Sequence, residues 1–454
     1  MNSVAELSPP AASPAIPVER RRELTIVIGS TYIAYATSML LRMIPTVAGN
    51  AIRAEASLGI DLDTWGKVLA AGTCGALTGK FLCGWAADRF GGKRTFATAL
   101  FIASLFVGLF SVSSSLMMFQ ATFFVTLMAQ AAGWPSMTKI VVNWVEPKHY
   151  GRVWGILSTS SRVGTLTATF LLGSLLTWIS WRAMLGIASV AGVGVSLYYA
   201  LRMRERPRES LVEESSDDSS ATAGEVRVDS NNRNVEMGET HPFDQLTLWQ
   251  AIPQFFLSPR FLLIAASLMG LTILWDFLLL APMYLQDTLK LDTAAASRAA
   301  SAFPLGSLLS VLAGGFVFDR LDRKRMAYVM AGLLLLATTC LVVFAKLPGW
   351  ELNPTVAKIL PIGLLFLFGL CLSPCYYIPV SVFSIGFGGR HSGFVVSLLD
   401  AIGFAATATF YYFGGGIAKE SGWSAFLWVL VAVALWSLIA TFAFMRREAR
   451  PALQ

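Results

Sequence analysis

Apolar stretches about twenty residues long alternate along this chain with short polar connectors. At about 1.5 Å of rise per residue, roughly 20 predominantly apolar residues cross the 30 Å hydrocarbon core of a bilayer as a helix. The pattern predicts twelve spans, at 24–47, 65–87, 95–114, 117–142, 152–178, 183–203, 261–285, 296–318, 326–345, 358–384, 393–416 and 424–445. The expected fold class is an all-α membrane protein. One polar connector is written twice, as Gly84-Trp-Ala-Ala-Asp88-Arg89-Phe-Gly91-Gly-Lys93-Arg94 and as Gly315-Phe-Val-Phe-Asp319-Arg320-Leu-Asp322-Arg323-Lys324-Arg325. A small residue lets helices approach, and an acid followed by a basic cluster belongs where a membrane helix meets water or anionic headgroups. The repeat divides the chain into two pseudo-symmetric six-helix bundles, 23–203 and 257–446.

Between them, 204–256 reads as a linker. Its run Glu213-Glu-Ser-Ser-Asp217-Asp-Ser-Ser220 and the asparagines around 231–234 lack the apolar content to fold alone. Near its end Leu246, Leu248, Ile252, Phe255 and Phe256 predict a short interfacial helix. The segment 1–22 is polar and proline-rich and is expected to be a tail and no cleavable signal; 447–454 is a second tail.

Composition agrees. The 454 residues are 55% hydrophobic and only 14% charged, with a mean hydropathy of +0.60, more apolar surface than a soluble fold can bury. Basic residues cluster at the N-terminal arginines, in the repeated connectors and around Arg446 and Arg447, which predicts that both termini are cytoplasmic. The net charge of +7 follows from that topology. No basic stripe with interleaved aromatics lies elsewhere, so nucleic acid is not an expected partner. Five cysteines and three histidines form no ligand cluster, so no metal or other cofactor is expected. No nucleophile with a base at hydrated depth argues for an enzyme. The expected partners are lipid and a small solute, and the expected state is a monomer.

Candidate chemistry begins with charges inside the spans. An ionisable side chain at mid-bilayer costs at least about 2.5 kcal/mol, so it is kept mainly where it faces an aqueous cavity or a partner. Arg162, ten residues past Arg152, is expected about 15 Å deep. It sits among Ser158, Ser161 and Gly164, a sequence suited to a hydrated wall. Lys80 lies about 12 Å inside its helix from Asp88, and Arg42 lies toward the far end of the first span. Asp276 and Asp400 are the acids of the second half. The alternatives are snorkelling of Arg42 and Lys80 to the interfaces, and helix capping or pairing across the bundle for the acids. Trp275, Phe277, Tyr376, Tyr377, Tyr411 and Tyr412 are candidate wall aromatics, with core packing as the other reading.

The repeated connector resembles the loop between helices two and three, and its echo between eight and nine, of the major facilitator superfamily of transporters. A narrower resemblance, to the organophosphate:phosphate antiporter family, rests on Tyr32-Ile-Ala-Tyr35, on Lys80-Phe-Leu-Cys-Gly84, and on Gly133-Trp-Pro135 followed by Asn143-Trp144-Val-Glu146-Pro147. Trp154-Gly-Ile-Leu-Ser158, Ser180-Trp-Arg182 and Trp423-Ser-Ala-Phe-Leu-Trp428 extend it. The resemblance implies exchange of phosphate against a phosphorylated small molecule, gripped by basic residues on helices one and seven. Those positions depart: the helix-one pair falls on Met39 and Leu40, and the helix-seven position falls near Leu274.

The expectation is therefore a secondary active transporter in a cell, or inner, membrane, moving a small organic anion or zwitterion as antiporter or proton-coupled symporter. Arg162, Lys80, Arg42, Tyr35, Ser161, Trp275 and Tyr376 are the candidate substrate ligands. Asp276 and Asp400 are candidates for a proton or a cationic group, with protons or phosphate as the coupling ion. Gly84, Asp88, Arg89, Lys93, Arg94, Asp319 and Arg320 are the candidate gate. Lipophilic efflux and a non-transporting receptor of the same fold are the alternatives.

Overall fold

The computed structural model describes residues 18–146, 149–206, 247–318, 320–351, 353–387 and 392–449. Asp319, the acidic serine run and the chain ends beyond these limits lie outside the described residues. The first half comprises helices α1 (Val18–Arg42), α2 (Ile44–Ala54), α3 (Leu62–Phe90), α4 (Gly92–Ser111), α5 (Leu116–Gln130), α6 (Gly133–Trp144), α7 (Tyr150–Thr167) and α8 (Trp181–Arg202). The second comprises α9 (Leu248–Leu257), α10 (Pro259–Asp276), α11 (Ala281–Leu289), α12 (Thr293–Ala300), α13 (Ala302–Phe318), α14 (Arg323–Lys346), α15 (Pro354–Phe387), α16 (Ser392–Glu420) and α17 (Gly422–Glu448). Polar caps set several starts: Asp61, Ser115, Ser180, Asp292 and Asp322 each accept a bond from a first-turn N–H.

Each of the twelve expected spans is helical, and nine segments among the described residues are long and apolar enough to cross a bilayer. The remaining three explain themselves. α3 carries Asp63, Lys67, Lys80, Asp88 and Arg89, α7 carries Arg162, and α13 is 17 residues long. Side chains such as Trp178 and Leu201, 85% and 83% exposed, form the apolar outer surface expected against lipid.

Besides the short turns between α5 and α6 and between α12 and α13, two spans expected as continuous are broken at prolines. α1 stops at Arg42 and α2 resumes just before Pro45; α10 stops at Asp276, a 3-10 turn covers Phe277–Leu279, and α11 resumes just before Pro282. Proline supplies no N–H and crowds the preceding turn, so helix restarts there. The breaks occupy equivalent places in the two halves and touch: Asn50 Nδ2 donates to the Pro282 carbonyl at 3.0 Å.

The halves meet at the end of the molecule away from the basic connectors. Arg53 pairs with Asp287 at 3.3 Å and Lys419 with Asp61 at 2.7 Å. Ser297 donates to the Thr169 carbonyl at 2.9 Å, within a π-helical turn at Ala168–Leu172. Burial opposes ionisation of Asp61, but hydrogen bonds from Lys419 and Thr64 outweigh it and hold its pKa at about 2, below the ordinary 3.8. In the same connector Glu55 is held below its ordinary value, first by the Trp181 indole N–H and then by Arg182.

At the basic end the ion pairs and hydrogen bonds described next lie within one half. Arg260 grips Glu448 with two bonds of 2.6 and 2.7 Å. The linker begins as a docked strap, since the Glu205 carboxylate accepts from the Gly92 and Lys93 N–H groups at 2.8 and 2.7 Å. The interfacial helix expected before the seventh span is α9, with Phe255 buried and Leu257 exposed.

Candidate functional site

A cavity of about 690 Å³ lies between the halves. Arg162, Lys80, Arg42, Tyr35, Ser161, Trp275, Tyr376, Asp276 and Asp400 all line it. Five helices bring the five charges there from five places in the chain, and the helix breaks decide how two of them point. Arg42 ends α1 and Asp276 ends α10, so each side chain leaves its helix where the backbone turns away. A cation suits the negative end of a helix, and a carboxylate at that end opposes the dipole. Asp276 is tolerated by its partner: Arg42 Nη2 lies 3.7 Å from its Oδ1.

Nearer the basic end, Lys80 Nζ meets Asp400 Oδ2 at 2.7 Å. Both contacts join a cation of the first half to an acid of the second. Of the readings open for these residues, pairing across the bundle is what the geometry contains, and Arg42 and Lys80 do not reach to the interfaces. Phe404, one turn beyond Asp400, separates the pairs, with the Arg42 guanidinium 5.7 Å and the Lys80 ammonium 5.4 Å from its ring. It was not singled out from the sequence. Its position four residues after an intramembrane acid was the available signal.

Arg162 is placed differently. It is 5% exposed and forms no ion pair among the described residues. Its Nη1 donates to the Ser158 carbonyl at 2.9 Å and to Ser161 Oγ at 2.6 Å, and its Nε has no partner. The guanidinium sits 4.4 Å from the Tyr377 ring centroid and 5.8 Å from that of Trp275, contacts worth roughly 0.5–2 kcal/mol each. Gly164, expected as space in a hydrated wall, is instead where α7 packs on α1, its added Cβ falling 2.9 Å from the Ala36 carbonyl carbon.

Aromatic rings build much of the remaining wall. Trp275 stacks on Tyr376 at 5.4 Å and meets Tyr377 and Phe303 edge-on, while Trp134 and Trp154 lie 4.8 Å apart on the first half. Phe277, Tyr411 and Tyr412 are not part of it. Phe277 packs among Phe344, Phe368 and Phe426, the Tyr411 hydroxyl donates to the Asp276 carbonyl at 2.6 Å, and Tyr412 is exposed beside Phe413. Gln130, Trp134, Trp154 and Phe303 line the cavity without having been chosen as ligands, although the two tryptophans lie in stretches that carried the family resemblance.

The candidate gate lies apart from the cavity, at the basic end. Asp88 pairs with Lys139 of its own half at 2.7 Å and forms no ion pair with the other half among the described residues. Gly84, expected to allow a close helix approach, has no heavy atom within 4 Å of an added Cβ. Both differences agree with the cross-half contacts described above lying at the cavity and at the opposite end. Arg89, Lys93, Arg94 and Arg320 flank the ends of α3, α4 and α13, and Asp319 lies outside the described residues.

Known proteins match this architecture over most of its length. A probable hexose phosphate transport protein of Chlamydia muridarum is 22% identical over 79% of this chain and 78% of its own. The membrane sensor protein UhpC of Escherichia coli is 22% identical over 69% of this chain and 68% of its own. These relatives bear out the resemblance to the organophosphate:phosphate antiporters. Among solved structures, a bacterial homologue of the lysosomal transporter Spinster, inward-facing and unoccupied, covers 98% of this chain and 100% of its own at a TM-score of 0.68 and 17% identity. The sequence profile described as Major Facilitator Superfamily matches residues 27–395, and this chain, an integral multi-pass membrane protein, belongs to that superfamily of transporters.

Proposed function

We propose that the protein is a secondary active transporter of a small organic anion or zwitterion, working by alternating access of the bundles 23–203 and 257–446 to the cavity between them. The observation that carries this reading is Arg162. A guanidinium 5% exposed, with no carboxylate partner among the described residues and an orphaned Nε, bears an unneutralised charge in a buried wall, and such a charge is retained mainly for a ligand. Its planar fork matches a carboxylate or phosphate. Tyr35 and Ser161 complete the polar rim, and Trp275 and Tyr376 the apolar one.

The two cross-half ion pairs supply the coupling. Each acid holds one cation across the seam in this conformation, and protonation of Asp276 or Asp400 unlocks that cross-half link so that the bundles can move. This serves a proton-coupled symporter, whereas an antiporter exchanges one anion for another at Arg162 with the pairs intact. The basic end, with both termini, faces the cytoplasm of a cell or inner membrane, so this conformation is closed outward. In the opposite conformation Asp88, Arg89 and Arg94 contact the second half near Arg320. The protein works as a monomer, each bundle moving against the other. Efflux of lipophilic compounds is the second reading, favoured by the aromatic wall.

The test is ligand-induced thermal stabilisation of purified wild type and Arg162→Ala against phosphate esters, carboxylates, amino acids and lipophilic cations. Anions stabilise the wild type alone if the reading holds, because removing one partner of a desolvated charge-assisted contact costs on the order of 2–5 kcal/mol. Anion stabilisation that survives in Arg162→Ala sinks it, and stabilisation by lipophilic cations alone supports efflux.

A further inference from the structure

We infer that the preferred substrate is a monoanionic carboxylate on a flat, aromatic body, rather than a phosphorylated or polyhydroxylated compound. This inference rests on the anion-transport reading above and narrows it on two grounds, charge and shape.

The charge ground is the pairing pattern. Three cations and two acids line the cavity, and Arg42 and Lys80 are each matched to an acid at 3.7 and 2.7 Å. Arg162 alone is left over. The lining thus carries one positive charge in excess, which one carboxylate neutralises. A phosphate monoester, with nearly two negative charges near pH 7, would bring more negative charge than the lining neutralises, or would have to break an ion pair. Uncompensated charge against buried aromatic surface is costly.

The shape ground is what surrounds Arg162. The guanidinium lies over Tyr377, and Trp275 stacks on Tyr376 with centroids 5.4 Å apart. Trp154, two turns before Arg162 on α7, and Trp134 form a second pair of rings in the same wall. A carboxylate on the Arg162 fork therefore has aromatic surface beside its body. Rings pack there by offset stacking or edge contacts. On the α7 side of Arg162 a sugar would find the serine and threonine hydroxyls already engaged: Ser161 Oγ accepts from Arg162 and donates to the Ser158 carbonyl, and Thr165 donates to the Ser161 carbonyl. Polar lining such as Gln130, Thr272 and Ser307 lies on other helices. A cavity of about 690 Å³ is ample for a two-ring acid.

Four probes separate the grounds: 2-naphthoate, 2-naphthyl phosphate, D-gluconate and glucose 6-phosphate cross one or two charges with an aromatic or polyol body. Isothermal titration of the purified full-length protein at about pH 7.5 is expected to give 2-naphthoate at least about tenfold the affinity of each other probe. That affinity falls at least about tenfold in Arg162→Gln and Arg162→Lys, and in Trp275→Leu and Tyr377→Leu, with all four variants eluting as the wild type does. Two substitutions at each feature keep the outcome decidable where one fails to fold. Stronger binding of gluconate or of either phosphate, lost in Arg162→Gln, overturns the inference and leaves the anion-transport reading standing. Naphthoate binding untouched by both Arg162 substitutions overturns both, and binding of no probe overturns the inference.

Discussion

Replacing Gly415 by alanine should force the joined ends of the two bundles apart. Gly415 lies on α16 against the first turn of α3. A Cβ there would sit 3.0 Å from the Leu62 carbonyl carbon, 3.1 Å from Asp63 Cα, and closer still to the Leu62 carbonyl oxygen, whereas ordinary contacts begin near 3.4 Å. The obstructing atoms are backbone, so no side chain can turn aside. Gly66 faces the same seam, 2.5 Å from its added Cβ to the Tyr411 carbonyl oxygen and 3.2 Å to Gly415 Cα. Overpacking of this kind costs about 1–3 kcal/mol. Since the clash exists only while these ends touch, the cost falls on this conformation alone. It shifts the balance toward the opposite one by roughly 5- to 160-fold. Spin labels at Ser57 and Lys290, on opposite halves of that end and in a background without the five native cysteines, would report the shift as a longer distance population by pulsed electron resonance. Gly332→Ala, where an added Cβ meets nothing within 4 Å, is the control. A distance distribution in Gly415→Ala identical to that of the control would refute the closed-seam argument.

Asp400→Asn should lower the thermal midpoint, by an amount corresponding to about 1–2 kcal/mol given the partial exposure of the pair, because Lys80 then keeps its charge without a partner; Lys80→Met combined with Asp400→Leu should recover most of it, and equal losses in both proteins would contradict the pairing. Asp61 has a depressed folded-state pKa, so its contribution is present above the ordinary 3.8 and is lost only as pH falls through about 2. The Ser57–Lys290 label distance should accordingly stay constant between about pH 5 and 8, and widening in that window would show that the Asp61–Lys419 contact does not behave as described. Glu205→Gln weakens the acceptor at the first turn of α4 and should cost roughly 0.5–2 kcal/mol, read as a lower midpoint and faster proteolysis just after Arg206; an unchanged protein would mean that the strap holds nothing.

The bundle architecture was legible because its signals are local: apolar length and a basic connector written twice. The breaks at Met43 and at Phe277–Leu279 were hidden inside apolar runs, since Pro45 and Pro282 look tolerable at the end of a membrane helix. All nine candidate ligand and proton residues line one cavity, and the reason is physical, for charge within a span has few other places to go. Their pairing was not readable. Arg42 and Asp276 are far apart in the chain, and only the matching helix breaks bring them face to face. Phe404, Trp134 and Trp154 were overlooked because an aromatic residue in an apolar run is the same letter whether it packs in a core or lines a cavity. The gate shows a different limit, since Gly84 faces open space and Asp88 pairs within its own half, and a contact expected in only one of two orientations cannot be judged from the other.

The claim that Arg162 carries an organic anion through an alternating-access cycle is tested most directly by counterflow in proteoliposomes. Wild type and Arg162→Gln, reconstituted at equal density and loaded with an unlabelled carboxylate, would be offered the same compound labelled outside, with inorganic phosphate and lipophilic cations run in parallel. The account predicts transient accumulation of the labelled carboxylate by the wild type and none by Arg162→Gln. Accumulation of equal size in both proteins, or of lipophilic cations alone, would contradict it.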